Sequence, residues 1–301
     1  MQFWVGITDR GWFETLRRSQ PEEVNFWQPS ERAPRRMEAG WPFLFKLHSP
    51  LNYVVGGGFF VRFTVLPCFL AWSAFQENNG ASSLAELVER TARYRRLPQT
   101  SGTKIGCNLL TDPFFFEEDQ WIPVPPDWPR HVQRGYTYDT ATETGNRLWR
   151  EVEQRLEVMR QVATVHEPQF GEAYLNRARL GQGTFRTLVT DAYHRRCAVT
   201  GERSLPALEA AHIKAHAAAG PNRTRNGLLL RADIHRLFDD GYVTVDPDLD
   251  FVVSQRLRDE FENGRAYYEL SGTQLVNLPD RPADHPGTEF LEWHNSEVYL
   301  G

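Results

Sequence analysis

His212, Asn226, His235 and Asp239 are the residues of this 301-residue chain whose types and spacing could do chemistry together. His212 closes the run Leu208-Glu-Ala-Ala-His212-Ile-Lys, and Asn226 opens a second, Asn226-Gly-Leu-Leu-Leu. His235 and Asp239 belong to Ile234-His235-Arg-Leu-Phe-Asp239. The first run reads as a short strand with its imidazole at the lip. The segment from Ala215 to Arg225, rich in Gly, Pro, Asn and Arg, reads as a loop. The amide of Asn226 can hydrogen-bond that loop's backbone and hold its two ends in register. Leu228-Leu229-Leu230 then leads into a helix on which His235 and Asp239, four apart, share a face and could bind one ion. A single histidine is most often a satisfied surface or core residue, and His-x-x-x-Asp on a helix is more often a surface pair or a cap. The order strand, loop, strand, helix, with these residues at these intervals, is what lifts a site above those ordinary readings.

This order and spacing resemble the His-Asn-His (HNH) nucleases, whose site is a small ββα-metal finger. The wider stretch from Tyr193-His-Arg-Arg-Cys197-Ala-Val-Thr-Gly201 to Asn263-Gly-Arg-Ala-Tyr-Tyr268 resembles the HNH domains of bacterial restriction-type enzymes. Hydrolysing a phosphodiester needs an activated water, an electrophile on the non-bridging oxygens and help for the departing 3′ oxygen. The resemblance implies that one divalent cation per active site, Mg²⁺ or Mn²⁺, and one histidine supply these. It implies His212 as general base, a task that suits an imidazole neutral near pH 7. It implies His235 as the helical metal ligand, with the ion as Lewis acid, and places Asn226 in the catalytic set in an orienting role. One departure matters. Many such fingers carry Asp, His or Glu before the base histidine, and this chain has Ala211. A lone imidazole is a weak site for a hard ion, so Asp239 is expected as second ligand, with Asp233 and Glu209 in reserve. The competing reading of Asp239 is a helix-end acid before the turn at Asp240-Gly241. Arg231 and Arg236, flanking His235, read as phosphate clamps, and Arg223 and Arg225 as loop contacts to the DNA backbone. Lys214 and His216 follow the base, although such loop residues are often only solvated.

A net charge of −5 argues weakly against a nucleic-acid partner, but the charge is segregated. From Arg177 to Arg231 ten Arg or Lys face three Asp or Glu, and from Ala232 to Gly301 five face fifteen. A basic stretch leading into the candidate site is what a phosphate backbone needs. Lysine occurs only at 46, 104 and 214, against 31 arginines. Arginine grips phosphate bidentately, and a GC-rich genome gives the same bias. Cys68, Cys107 and Cys197 are too far apart for a disulfide framework or a zinc pair, and Cys197 reads as a small buried side chain. The chain lacks an apolar run of roughly 18 residues, the least that spans a membrane. Its start, Met1-Gln-Phe-Trp-Val-Gly, has none of the regions of a signal peptide. The expectation is a soluble, cytoplasmic protein without a membrane partner.

The expected fold class is α+β in two domains: 1–140, a helical linker 141–165, and an HNH domain 166–301 with its ββα-metal finger. In the first, Phe3 to Thr8, Phe43 to Leu47, Tyr53 to Leu66, Cys107 to Leu110 and Phe114 to Phe116 read as strands. Arg10 to Arg18 and Ser83 to Arg95 read as helices, and Gly56-Gly-Gly58 as a bulge or tight bend. Phe3-Trp-Val-Gly, Val24-Asn-Phe-Trp-Gln-Pro-Ser30, Phe43-Leu-Phe-Lys46 and Val55-Gly-Gly-Gly-Phe59 make this half resemble the EVE-type branch of the PUA-like superfamily, small β-barrels that accommodate bases. A base pocket needs aromatic faces and a few fixed polar groups. Asn25, Phe26, Trp27, Gln28 and Ser30 supply both, with Trp12 and Asn52 added. The plainer reading is that Phe26 and Trp27 plug the barrel end.

Together these resemblances imply a modification-dependent DNA endonuclease of restriction type. Its barrel would read a flipped cytosine, 5-methyl or 5-hydroxymethyl, in double-stranded DNA, and its finger would cut nearby. A finger that grips phosphate carries little sequence information, and a base-reading module would supply it. A silent reader of modified nucleic acid, which Ala211 favours, and an HNH nuclease acting on RNA stay open, as does a homodimer.

Overall fold

Apolar strands punctuated by glycine and proline build a curved sheet in the first of two units, Met1–Arg179 and Leu180–Gly301. The computed structural model describes residues 1–34, 36–129, 131–162 and 180–301. The boundary expected at 165/166, and Arg177 and Arg179 of the basic stretch, lie outside the described residues. No described helix is long and apolar enough to cross a membrane.

The first unit holds β1 (Gln2–Thr8), β2 (Glu23–Gln28), β3 (Pro42–Leu47), β4 (Tyr53–Pro67), β5 (Lys104–Phe115), β6 (Ile122–Pro123) and β7 (Gly135–Asp139). Their order is β2-β5-β4-β3-β1-β7, with β6 on β4, and only β1 and β3 run parallel. The expected barrel is corrected here: the end strands β2 and β7 do not pair, so the sheet is open. Alternation specifies which face a strand buries, not whether the first strand meets the last. Bending comes from β4, whose register slips between Gly57 and Phe59 against β5 and opposite Phe45/Lys46 against β3. A Cβ on Gly57 would sit 2.6 Å from the Phe114 ring and 2.8 Å from the Phe43 carbonyl, so the close approach requires glycine. The pieces expected at 107–110 and 114–116 form one strand, β5, and the stretch between Pro129 and Gly145 contains β7.

Helix α1 (Arg10–Ser19) starts where Asp9 accepts from the Trp12 amide, 2.8 Å away. Helix α2 (Cys68–Phe75) follows β4, and α3 (Leu84–Arg95) is capped by Ser83. The stretch read as a helical linker carries α4 (Glu143–Val162), whose Leu148, Trp149 and Val152 are buried against Phe3 and Tyr138 of the sheet.

The second unit begins with α5 (Gln182–Ala192) and the antiparallel pair β8 (Leu208–His212) and β9 (Gly227–Arg231), followed by α6 (Ala232–Asp239). Strands β10 (Val243–Val245), β11 (Asp250–Val253) and β12 (Thr273–Gln274) form a small sheet. Helices α7 (Arg256–Phe261), α8 (Arg265–Tyr268) and α9 (Thr288–Glu297) complete it. Ile234 and Phe238, one turn apart on α6, enter a core with Phe185, Leu229 and Phe251. That burial leaves His235 and Asp239, about 100° further round the helix, on its flank, the first half-buried and the second exposed.

Candidate active site

The β8–β9 hairpin and α5 together position His212. His212 pairs with Gly227 across the hairpin. A Cβ on Gly227 would lie 2.4 Å from Val189 and 3.0 Å from the Phe185 ring, so glycine lets α5 settle onto the strands. Phe185 then stacks flat on the His212 imidazole, centroids 3.8 Å apart and planes at 13°. The imidazole Nε2 lies 2.7 Å from Asn222 Oδ1, and Asn222 Nδ2 donates to the Leu180 carbonyl over 2.5 Å. Burial holds the His212 pKa below its ordinary value. The Asn222 contact offsets part of this, while His216, Arg186 and His235 push the same way as burial. A neutral imidazole at neutral pH follows.

Asn226 is fully buried beneath the loop. Its Oδ1 accepts from the Lys214 amide at 2.8 Å, and its Nδ2 donates to the carbonyls of Lys214 and Pro221, both at 3.0 Å. One side chain thus ties both ends of the 215–225 loop.

His235 stands between two carboxylates. Its Nδ1 is 2.7 Å from Glu209 Oε2 on β8, and its Nε2 is 3.2 Å from Asp239 Oδ2. Burial and the acids Asp240 and Glu209 raise the Asp239 pKa against the pull of His235. Asp233 is engaged elsewhere: it takes both Arg231 Nε (3.0 Å) and Nη2 (2.5 Å), accepts from the Tyr267 hydroxyl, and its pKa is held down at about 2. Of the two reserve ligands, it is therefore Glu209 that the fold brings to His235. Two carboxylates and an imidazole are a donor set suited to a hard divalent cation. As folded they are hydrogen-bonded pairs, and among the described residues no group of three or more His, Cys, Asp or Glu is set to hold a metal ion.

Arg231 is bound to Asp233, and Arg225 pairs with Glu289 at 3.1 Å. Arg223, Arg225 and Arg236 are all exposed, the last near the carboxyl end of α6. Lys214 Nζ lies over the Trp293 ring at 5.4 Å.

The candidate base-reading residues are distributed through the first unit. Trp12 and Phe26 meet edge to face at 5.1 Å inside the core. Asn25 is buried and donates to Asn79 Oδ1 and Cys107 Sγ, and Gln28 donates to the carbonyls of Ser30 and Arg32. Trp27 is 8% exposed, and its indole N–H donates to the Asn79 carbonyl at 3.0 Å. Asn52, at φ 51°, accepts from the buried Lys46 ammonium at 2.7 Å. Next to Trp27 the surface offers Tyr94, 41% exposed, whose ring stacks with exposed His48 and whose hydroxyl donates to Asp9 at 3.1 Å.

Sequence reasoning missed Asn222, Phe185 and Arg186 around His212. Asn222 sits in a loop where Asn is unremarkable, and Phe185 is an ordinary core residue of α5. Nothing local marks either one, because their meeting with His212 is tertiary.

No curated protein matches this chain. Among solved structures, the chain is similar to a "Modification dependent TagI restriction endonuclease", at 12% identity and a TM-score of 0.28, over 92% of this chain and 75% of that one. Likeness at that score establishes no shared fold. Residues 197–246, which carry β8, the loop, β9 and α6, match the HNH endonuclease family. The matched segment contains His212, Asn226 and His235, and it is by this segment that the chain is similar to HNH endonucleases.

Proposed function

We propose that this protein is a modification-dependent DNA endonuclease, in which the HNH domain hydrolyses phosphodiester bonds and the first unit reads a modified cytosine flipped from the duplex. The observation that carries the nuclease reading is a partly buried imidazole, His212, on the hairpin that runs directly into the helix of His235 and Asp239, with Glu209 of the same strand beside His235. His212 takes the proton from the attacking water. Phe185 shields one face of the ring, which keeps bulk water from competing there. Asn226 holds the loop that follows His212. His235, through Nε2 with Asp239 or through Nδ1 with Glu209, would hold the divalent cation while the other carboxylate orients the ring; the ion when bound supplies Lewis acidity at the scissile phosphate and stabilises the leaving 3′ oxygen. Exposed Arg223 and Arg236 grip backbone phosphate without reading sequence. Support for a reader in the first unit is chemical: Trp27 lies directly behind the exposed Tyr94–His48 pair, which offers aromatic surface to an unstacked base.

The deciding experiment incubates the protein with Mg²⁺ or Mn²⁺ and unmodified, 5-methylated or 5-hydroxymethylated DNA, and with RNA. Cutting of modified DNA alone is expected. Binding without cutting at any metal concentration would make the protein a silent reader, and cutting of RNA alone would move it to another substrate.

A further inference from the structure

We infer that Asn222 is a positioning residue for His212: it locks the imidazole with its proton on Nε2, so that Nδ1 is the atom that accepts the proton from water. This rests on the nuclease reading of the site. The orientation of the Asn222 amide is decided by its other partner. Nδ2 lies 2.5 Å from the carbonyl of Leu180, which can only accept; a flipped amide would press two carbonyl oxygens together. Oδ1 is therefore the atom 2.7 Å from His212 Nε2. Because Oδ1 can only accept, Nε2 must carry the hydrogen. A neutral imidazole has one N–H, so the lone pair is on Nδ1. Among the described residues Nδ1 makes no hydrogen bond, so it is the ring nitrogen left to accept one. Phe185, parallel to the ring at 3.8 Å, restricts tilting, and Asn222 fixes rotation in the ring plane.

The proton balance is simple. As the water oxygen bonds to phosphorus its O–H bond breaks, the proton moves to Nδ1, and the bond from phosphorus to the 3′ oxygen breaks. The imidazolium so formed donates from Nε2 to Asn222 as a charge-assisted hydrogen bond, which is stronger than the neutral one. Two asparagines of one loop thus have separate tasks: Asn226 holds backbone, and Asn222 holds the base. The titratable groups that face His212 are His216, Arg186 and His235, and none of them is the residue substituted.

The test uses full-length Asn222→Ala and Asn222→Asp, with melting temperatures measured for both. His212 is titrated by nitrogen NMR in the metal-free protein, its signal assigned with His212→Gln, and kcat is followed against pH with Mg²⁺. In the native protein the neutral ring should show a protonated Nε2. Asn222→Ala removes an acceptor that favours the imidazolium, so the His212 pKa and the low-pH limb of kcat should both move to lower pH. A loss of roughly 10- to 100-fold in kcat, typical of removing an orienting partner, should accompany this. Asn222→Asp places a carboxylate there, and both readouts should move to higher pH. Opposite displacements cannot arise from loosening the loop, which would lower activity in both variants without moving the pH profile. A native ring protonated on Nδ1, or variants that titrate like the native protein, would overturn the inference. If the NMR displacements appear and no DNA is cut by any variant or the native protein, the pairing stands and the nuclease reading falls.

Discussion

At the scale of single residues, the proposed site assigns proton transfer to one group and the holding of an ion to others. His212→Ala removes the first. Its kcat should fall by about 10²- to 10⁴-fold, the usual worth of general-base catalysis, with DNA affinity nearly unchanged; cleavage within tenfold of native would remove His212 from the role of base. His235→Ala, Asp239→Ala and Glu209→Ala should each raise the concentration of Mg²⁺ or Mn²⁺ at half-maximal rate. A Glu209→Ala protein that titrates with metal like the native one would reduce Glu209 to an orienting partner of the His235 ring. His212, Asn226, His235 and Asp239 could be singled out in the sequence because their chemistry is written in their side chains and intervals. The choice between Asp233 and Glu209 could not be made there, because it depends on Arg231 and Tyr267 drawing Asp233 aside, and Tyr267 is 34 residues distant.

At the scale of elements, α6 is held from behind as well as from the site. Phe238 on α6 stacks at 3.7 Å on His294 of α9, whose Nε2 faces the Phe238 carbonyl at 3.0 Å and whose Nδ1 faces Thr244 Oγ1 at 2.8 Å. Burial pushes the His294 pKa down to about 4, against an ordinary 6.5. The unfolded chain therefore binds this proton more readily, and the neutral ring's contribution to stability is present above pH 6.5 and lost as pH falls towards 4. The loss should approach about 3 kcal/mol. Chemical denaturation between pH 7 and 4 should show it, and His294→Gln should flatten the dependence; an equal slope in that variant would assign it to other groups. The elements themselves were largely readable, since amphipathic spacing announces α1 and α3 and apolar runs announce β1, β3 and β4. Strand β7 was hidden because Gly135-Tyr-Thr-Tyr-Asp lies among turn formers and becomes a strand only by pairing with β1. Closure of the sheet was unreadable for the same reason, because it is a relation between ends far apart in sequence.

At the scale of the whole molecule, two kinds of DNA contact should be separable by salt. Each arginine that neutralises a phosphate contributes about 0.9 to the slope of log affinity against log salt. Arg236→Ala should reduce that slope by about one and weaken modified and plain DNA alike; a selective loss on modified DNA would make Arg236 a reader of something other than phosphate. Tyr94→Ala should do the reverse. It should cut the preference for modified DNA by about 5- to 150-fold, the worth of one base–aromatic stack, with little change in melting temperature for a ring this exposed. Trp27→Ala is the less clean probe, because it also empties buried space and orphans the Asn79 carbonyl. Undiminished discrimination in Tyr94→Ala would move the reading surface elsewhere. The packing of α4 governs how such a protein can be taken apart. Because Leu148, Trp149 and Val152 lie against Phe3 and Tyr138, a reader fragment cut at residue 140 would be born with an oily scar along its sheet and should precipitate when expressed. One ending at 162 keeps its own lid on that scar and should stay in solution, so the natural seam for dissection falls beyond the helix, not before it.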